Sequence, residues 1–258
     1  MATAPGTGAV LVLARKADTN VLRVYRGEGE TFRVVVEREL VAGGGIADVS
    51  FFAVDPGGRF WLGLKVRTDR GSVVERGVAV IDPNAPAVVY HHSRAAAETD
   101  GAGALRIPDS LSAIAFSPSG EVWLAGLEGA VRIAGGEVRR FGEAQGLEGE
   151  LVGDIDMGPG NVPYIGTPAG VGHFENDVWR FERSSIVTQA RPIAVAIDGQ
   201  GHVWGGGPHG AIYGDGTNWK RIGTGEGLLD DRLTDIRVDG NNRVWFVSAQ
   251  GLTILSRD

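Results

Sequence analysis

One aromatic position recurs along this 258-residue chain and restricts the fold more than any other feature. Trp61, Trp123, Tyr164, Trp204 and Trp245 stand 62, 41, 40 and 41 residues apart, a period that belongs to architectures built from repeated supersecondary units. Six residues before each anchor lies Asp55, Ser117, Gly158, Asp198 or Asp239, and three before it lies Gly58, Gly120, Asn161, Gly201 or Asn242. Asp or Ser followed by Gly or Asn makes a tight turn, with a side chain accepting from the backbone and a residue at positive φ. Glycine returns six residues after four of the anchors, at Gly129, Gly170, Gly210 and Gly251.

Short apolar segments fill the intervals. Ile193 to Ile197 and Leu233 to Val238 precede their turns, whereas Ala130 to Ile133 and Leu252 to Leu255 follow the later glycine. Val138 to Phe141, Val178 to Phe181 and Trp219 to Ile222 come fourth, behind the turn pairs Gly135-Gly136, Asn176-Asp177 and Asp215-Gly216. No long window carries helical periodicity, so the repeating unit is four strands. A sheet with two apolar faces needs a neighbour on each side, which radial packing supplies. The expectation is therefore an all-β fold, a β-propeller of four-stranded antiparallel blades forming one domain over residues 1–258. Five blades carry the anchor. The last stops after its third strand at Leu255, and of three N-terminal strands, Ala9 to Arg15, Asn20 to Arg26 and Thr31 to Leu40, the part Phe32 to Val36 is expected to close it. A sixth blade made from residues 9–38 is the alternative.

Gly227-Leu228, Leu233, Asp235-Ile236, Asp239, Val244-Trp245 and Gly251-Leu252 resemble the two-component regulator propeller repeat. Gly146-Leu147, Val152, Asp154-Ile155, Tyr164 to Thr167 and Gly170-Val171 resemble it too, and the likeness extends over about residues 45 to 258. That resemblance implies a ligand-sensing module, in that family usually an extracytoplasmic part of a larger sensor kinase. The Asp-turn-Trp repeats are also similar to propeller lactonases and streptogramin B lyases, which act at the channel mouth with a metal and polar side chains. A non-enzymatic binding, scaffolding or sensing module is the first expectation, and a propeller enzyme of that type is the alternative. Fold alone does not separate the two.

With 25 basic and 32 acidic residues the formal charge is −7, and the summed field opposes nucleic acid and anionic membrane surfaces. The absence of cysteine removes disulfides, zinc-thiolate sites and thiol nucleophiles. Arg15 and Lys16 follow the apolar run Ala9 to Ala14 instead of preceding it, which is the wrong order for a signal peptide, so a cytoplasmic location is expected, with an extracytoplasmic one as the alternative if an export signal has been removed.

The first anchored unit is irregular. Its later glycine comes at Gly77 where the repeat would place Arg67, and a further surplus lies between Tyr90 and Leu111. Alternating strand direction sends both insertions to one face, so they predict an enlarged rim for a protein partner or a small ligand. The contact residues expected there are Arg67, Asp69, Arg70, Glu75, His91, His92 and Arg94. No catalytic set, metal site or cofactor is expected. His91-His92 is the sole local histidine pair, and neighbours on a strand point to opposite faces. Gly205, Gly207 and Gly210 match a dinucleotide fingerprint only formally, because Pro208 interrupts and no helix follows. The four tryptophan anchors are assigned to packing between blades. Glu143, Glu148, Glu150, Glu226, Asp230 and Asp231 make the loops between blades acidic. The innermost strands differ in polarity: Ala113, Ala115, Ala194 and Ala196 in two units, Asp154, Asp156, Asp235 and Arg237 in two others. This asymmetry argues against a symmetric metal cage and leaves room for an off-centre site.

Overall fold

Alternation of short apolar runs with Asp-Gly, Gly-Gly and Asn-Asp turns yields antiparallel strands throughout. The structure, a computed structural model, describes residues 2–4, 9–16, 19–28, 31–39, 46–67, 73–82, 88–92, 107, 110–149 and 151–256. For 2–50, 52, 65–67, 73–76 and 88–92 the description is of the backbone. The chain divides into two compact units, Met1–Leu111 and Ser112–Asp258.

The first unit holds two four-stranded sheets. One is formed by β1 (Ala2–Ala4), β2 (Ala9–Lys16), β3 (Thr19–Glu28) and β4 (Thr31–Glu39), each strand pairing with the next. The other is formed by β5 (Ile46–Val54), β6 (Phe60–Arg67), β7 (Val73–Ile81) and β8 (Val88–His92) and contains the Trp61 anchor. Here the surplus residues take a different form from the loop that the sequence predicts. Lys65 pairs with Glu75, Val66 with Val74 and Arg67 with Val73, so the insertion lengthens the hairpin itself. Val66, Val73 and Val74 suit an extended pairing, and Gly77, at φ 110°, marks an irregularity where Leu64 opposes it.

The second unit repeats one pattern. β9 (Leu111–Phe116), β10 (Val122–Gly126), β11 (Gly129–Ala134) and β12 (Glu137–Phe141) form the first sheet. β13 (Asp154–Met157), β14 (Pro163–Thr167), β15 (Gly170–Glu175) and β16 (Val178–Phe181) form the second, and β17 (Ala194–Ile197), β18 (Val203–Gly207), β19 (Gly210–Gly214) and β20 (Trp219–Ile222) the third. A last sheet has three strands, β21 (Leu233–Val238), β22 (Val244–Ser248) and β23 (Gly251–Leu255). Five sheets thus carry the anchor, as the spacing predicts. One short helix, α1 (Ser185–Ala190), lies in the connection after β16 and buries Val187 and Ala190. Six residues are too few to produce a helical period in the sequence, and none is expected from it.

The repeat works through its turns. Gly58, Gly120, Asn161, Gly201 and Asn242 all adopt positive φ, between 60° and 88°, which glycine and asparagine tolerate best. Trp61, Trp123 and Trp204 are buried as expected, whereas Trp245 in the three-stranded sheet is partly exposed. The glycines of β18 answer to packing: a Cβ on Gly206 would sit 2.6 Å from Ile236 Cδ1 of the next sheet. Strand follows strand across Gly207 and Gly210, so the formal dinucleotide match has no phosphate-binding helix behind it.

Candidate functional site: the Arg237 cluster

Period-two alternation places Asp154 and Asp156 on one face of β13, and Asp235 and Arg237 on one face of β21. Between these polar strands runs β17, where the same repeat positions are Ala194 and Ala196. Methyl side chains there leave space for a long one to cross. The Arg237 guanidinium does cross: its Nη1 donates to Asp154 Oδ2 at 2.9 Å, 83 residues away, and its Nη2 pairs with Asp235 Oδ1 at 3.2 Å. Nη1 also donates to the Ile236 carbonyl at 3.3 Å.

The carboxylates fasten the strands. Val195 N–H donates to Asp154 Oδ2 at 3.2 Å and Ile197 N–H to Asp156 Oδ2 at 2.8 Å, so two amides of β17 that face away from their own sheet are satisfied by side chains of β13. Ile155 N–H and Met157 N–H donate to Asp154 Oδ1 and Asp156 Oδ1 at 2.9 and 2.8 Å. Asp235 Oδ1 accepts Ile236 N–H at 2.8 Å. Burial pushes the Asp154 carboxyl up to about 6 despite the opposing pull of Arg237, and it raises Asp156 and Asp235 as well.

Beside this cluster, where β13, β17 and β21 run into their turns, lies a cavity of about 520 Å³ lined in part by Asp156, Ile197, Asp198, Arg237, Val238 and Asn242. The Arg237 side chain is 57% exposed, so its charge is presented to this space while two carboxylates hold it from behind. A second hollow, of about 820 Å³, opens at the opposite strand ends among Leu127, Glu128, Glu143, Leu147 and Glu148. Two of its carboxylates are already matched, Glu128 by Arg140 at 2.9 Å and Glu148 by Arg183.

The expected rim residues have varied placements. Arg67 lies on β6 opposite Val73, Glu75 on β7 opposite Lys65, and His91 and His92 on β8 opposite Val78 and Gly77. Their strands belong to one sheet. Asp69, Arg70 and Arg94 lie outside the described residues. Of the inner-strand residues, Asp154, Asp235 and Arg237 come together in one polar cluster. Among the described residues, no three His, Cys, Asp or Glu side chains converge as metal ligands.

Sequence reasoning missed what the turn aspartates do with the anchors. Trp61 Nε1–H donates to Asp55 Oδ2 at 3.0 Å, Trp204 Nε1–H to Asp198 Oδ2 at 3.1 Å and Trp245 Nε1–H to Asp239 Oδ2 at 2.9 Å. The interval of six, read only as turn chemistry, is also the reach from a turn carboxylate to an indole on the following strand.

No family model matches the sequence, and no curated protein matches it. Solved structures do. The extracellular domain of a hybrid two-component system from B. thetaiotaomicron superposes with a TM-score of 0.69 at 15% identity over 93% of this chain and 32% of that one. A catalytically inactive histidine-to-alanine variant of virginiamycin B lyase from Staphylococcus aureus, with quinupristin, gives 0.56 at 14% identity over 95% and 87% of the two chains. PorZ, a surface component of the type-IX secretion system of Porphyromonas gingivalis, gives 0.54 at 18% identity over 96% and 39%. The chain spans about a third of the length of the first of these. At such identities the likeness is one of fold, and with the repeated four-stranded sheets it makes the architecture an all-β propeller. Among the described residues no helix is long and apolar enough to cross a membrane.

Proposed function

We propose that this chain is a non-enzymatic propeller module that holds a ligand in the Arg237 cavity without transforming it. One observation carries the reading: the carboxylates of the polar cluster are occupied as structural acceptors. Asp154 and Asp156 accept backbone amides through both oxygens, and Asp154 and Asp235 clamp Arg237. A general base must turn a lone pair to the proton it takes, and here every oxygen of Asp154 and Asp156 is already held by a backbone amide. The fold neighbours include both sensing domains and lyases, so the choice between binding and catalysis rests on the site. To test it, the purified protein is incubated with a small-molecule extract, washed and denatured, and the released compounds are compared with the input by mass spectrometry. Retention of a compound at unchanged mass is expected. Conversion of any retained compound into another, an isomer of equal mass but different fragmentation included, would establish an enzyme.

A second contact surface is supported by the lengthened hairpin of β6 and β7, whose extra pairs carry the chain past the point where the other anchored hairpins turn. In this reading Arg67 and Arg70 anchor a protein partner, since guanidinium groups form bidentate contacts and are enriched in interface hot spots. Affinity capture with the wild type and with Arg67→Ala/Arg70→Ala, both melting alike, decides the matter. Identical partner profiles would remove the rim from consideration.

A further inference from the structure

The cavity beside Arg237 has an uneven supply of donors and acceptors, and that imbalance restricts what it takes. Each carboxylate oxygen in its lining already accepts at least one hydrogen bond. Asp156 receives Met157 N–H and Ile197 N–H on separate oxygens. Asp198 receives Gln200 N–H and His202 N–H on Oδ1 and the Trp204 indole on Oδ2, while Asp239 receives Asn241 N–H and Arg243 N–H on Oδ1 and the Trp245 indole and Arg243 on Oδ2. Asn242 turns its oxygen to Gly199 N–H and its amide to Gln200 Oε1. Asp235 accepts through Oδ1 alone, but it does not line the cavity.

The donors are not spent. Arg237 donates from Nη1 twice, to Asp154 and the Ile236 carbonyl, while its Nη2 is held by Asp235 as an ion pair at 3.2 Å. Its Nε–H and its Nη2 make no hydrogen bond among the described residues. These two point along the same edge of the planar guanidinium, so they present a two-pronged donor. A ligand must therefore bring acceptor oxygen. Charge decides which kind. Arg237 stands among Asp154, Asp156 and Asp235, with Asp198 and Asp239 on the walls, so the local balance is negative and a carboxylate or phosphate meets net repulsion. A cation is drawn by the field but meets the Arg237 charge, and among the lining carboxylates Asp156 alone keeps a second lone pair on each oxygen. The remaining walls, Met157, Pro159, Ile197 and Val238, favour an apolar body.

We infer that the free edge of Arg237 is the recognition element of this cavity and that its ligand is an uncharged molecule carrying an amide or ester carbonyl next to an apolar group. Asp154 and Asp235 act as positioning residues, holding the guanidinium so that this edge faces the cavity. The inference rests on the reading of the cavity as a binding site and adds the chemical class of the occupant.

Three probes that differ in charge alone test it: N-acetyl-leucine methylamide, which is neutral, N-acetyl-leucine, which is anionic, and leucine methylamide, which is cationic. Each is titrated into the ¹⁵N-labelled full chain near pH 7.5, and the Arg237 Nε–H signal is followed. Arg237→Lys assigns that signal by removing it, and should that variant not fold, through-bond correlation to the Arg237 backbone assigns it in the wild type. The neutral amide is expected to move the signal to saturation, with the anion at least about tenfold weaker, the penalty of one repelling charge pair. Tighter binding of the anion or the cation at Arg237 would overturn the ligand class and leave the cavity a binding site. Silence of the Arg237 signal with all three probes would overturn both.

Discussion

Two aromatic clusters of the second unit make the same repeat position in different ways. In one, the Trp204 ring stacks on Tyr213 at 4.8 Å and meets Phe246 edge-on at 5.9 Å, and its N–H is taken by Asp198. In the other, Trp123 lies against Phe141, Phe174 and Trp179 at 5.3, 5.0 and 5.9 Å, yet its turn residue is Ser117. Ser117 Oγ accepts Glu121 N–H at 3.0 Å and bonds Ser119 Oγ at 2.7 Å, which keeps the turn intact. It does not reach the indole, and the buried nitrogens of both Trp123 and Trp179 have no partner. Turn closure and indole capping are thus separable duties. Aspartate performs both and serine one, and the second cluster surrounds its unsatisfied donors with more ring surface. A buried donor without a partner costs about 1–3 kcal/mol, and an aromatic pair returns about 0.5–1.5.

The comparison breaks first at Trp204. Trp204→Ala should cost about 3–5 kcal/mol, read as a fall in the urea midpoint at unchanged slope. A midpoint near wild type would mean that the ring does not hold the sheets together. Next comes Asp154, where burial outweighs the Arg237 charge and the two amides that it accepts. Asp198 is the opposite case: burial pushes it up, but the Trp204 indole and the turn amides hold it below the ordinary carboxylate range. Because the folded Asp154 holds its proton up to about pH 6, against 3.8 for an ordinary aspartate, its ionisation opposes folding, so its contribution falls as pH rises from about 4 to 6. The stability of wild type relative to Asp154→Asn should drop by about 2–3 kcal/mol between pH 4 and pH 7. A flat difference would place Asp154 in a polar setting unlike the one described.

A sharper test exchanges each indole for phenyl. Trp204→Phe removes a ring edge and a hydrogen bond, Trp123→Phe removes a ring edge and an unsatisfied donor, and the first should destabilise more by about 1–2 kcal/mol in parallel denaturant titrations. Equal losses would show that the Asp198 bond contributes nothing net. Last, Ser117→Asp supplies the missing acceptor and should raise stability by about 1 kcal/mol at pH 7, with the gain disappearing in the Trp123→Phe background. Persistence of the gain in that background would assign it to the turn alone.

Much of the scaffold was legible because its signals are local. The intervals from Asp198 to Gly201 to Trp204 encode a turn and a strand entry within seven residues, and the strands predicted at Val178–Phe181, Trp219–Ile222 and Leu233–Val238 have those limits in the structure. The lengthened β6–β7 hairpin was legible only as an insertion, from the repeat glycine standing at Gly77 in place of Arg67, because spacing counts residues and does not show which of them pair across strands. The functional cluster was legible in its ingredients only. Asp154, Asp156, Asp235 and Arg237 were recognisable as polar residues on inner strands. That Arg237 reaches past a whole intervening strand to Asp154 depends on the size of Ala194 and Ala196, a property of neighbours that no spacing reveals.

The ties from Asp154 to Val195 and from Asp156 to Ile197 each span 41 residues, one unit of the repeat. Two fasteners a strand period apart form a ruler: they can engage only when successive sheets are in step, whatever the length of the connection that joins them. The outer connections are therefore free to lengthen, to acquire a helix as between β16 and β17, or to shorten, without altering the alignment at the inner edge.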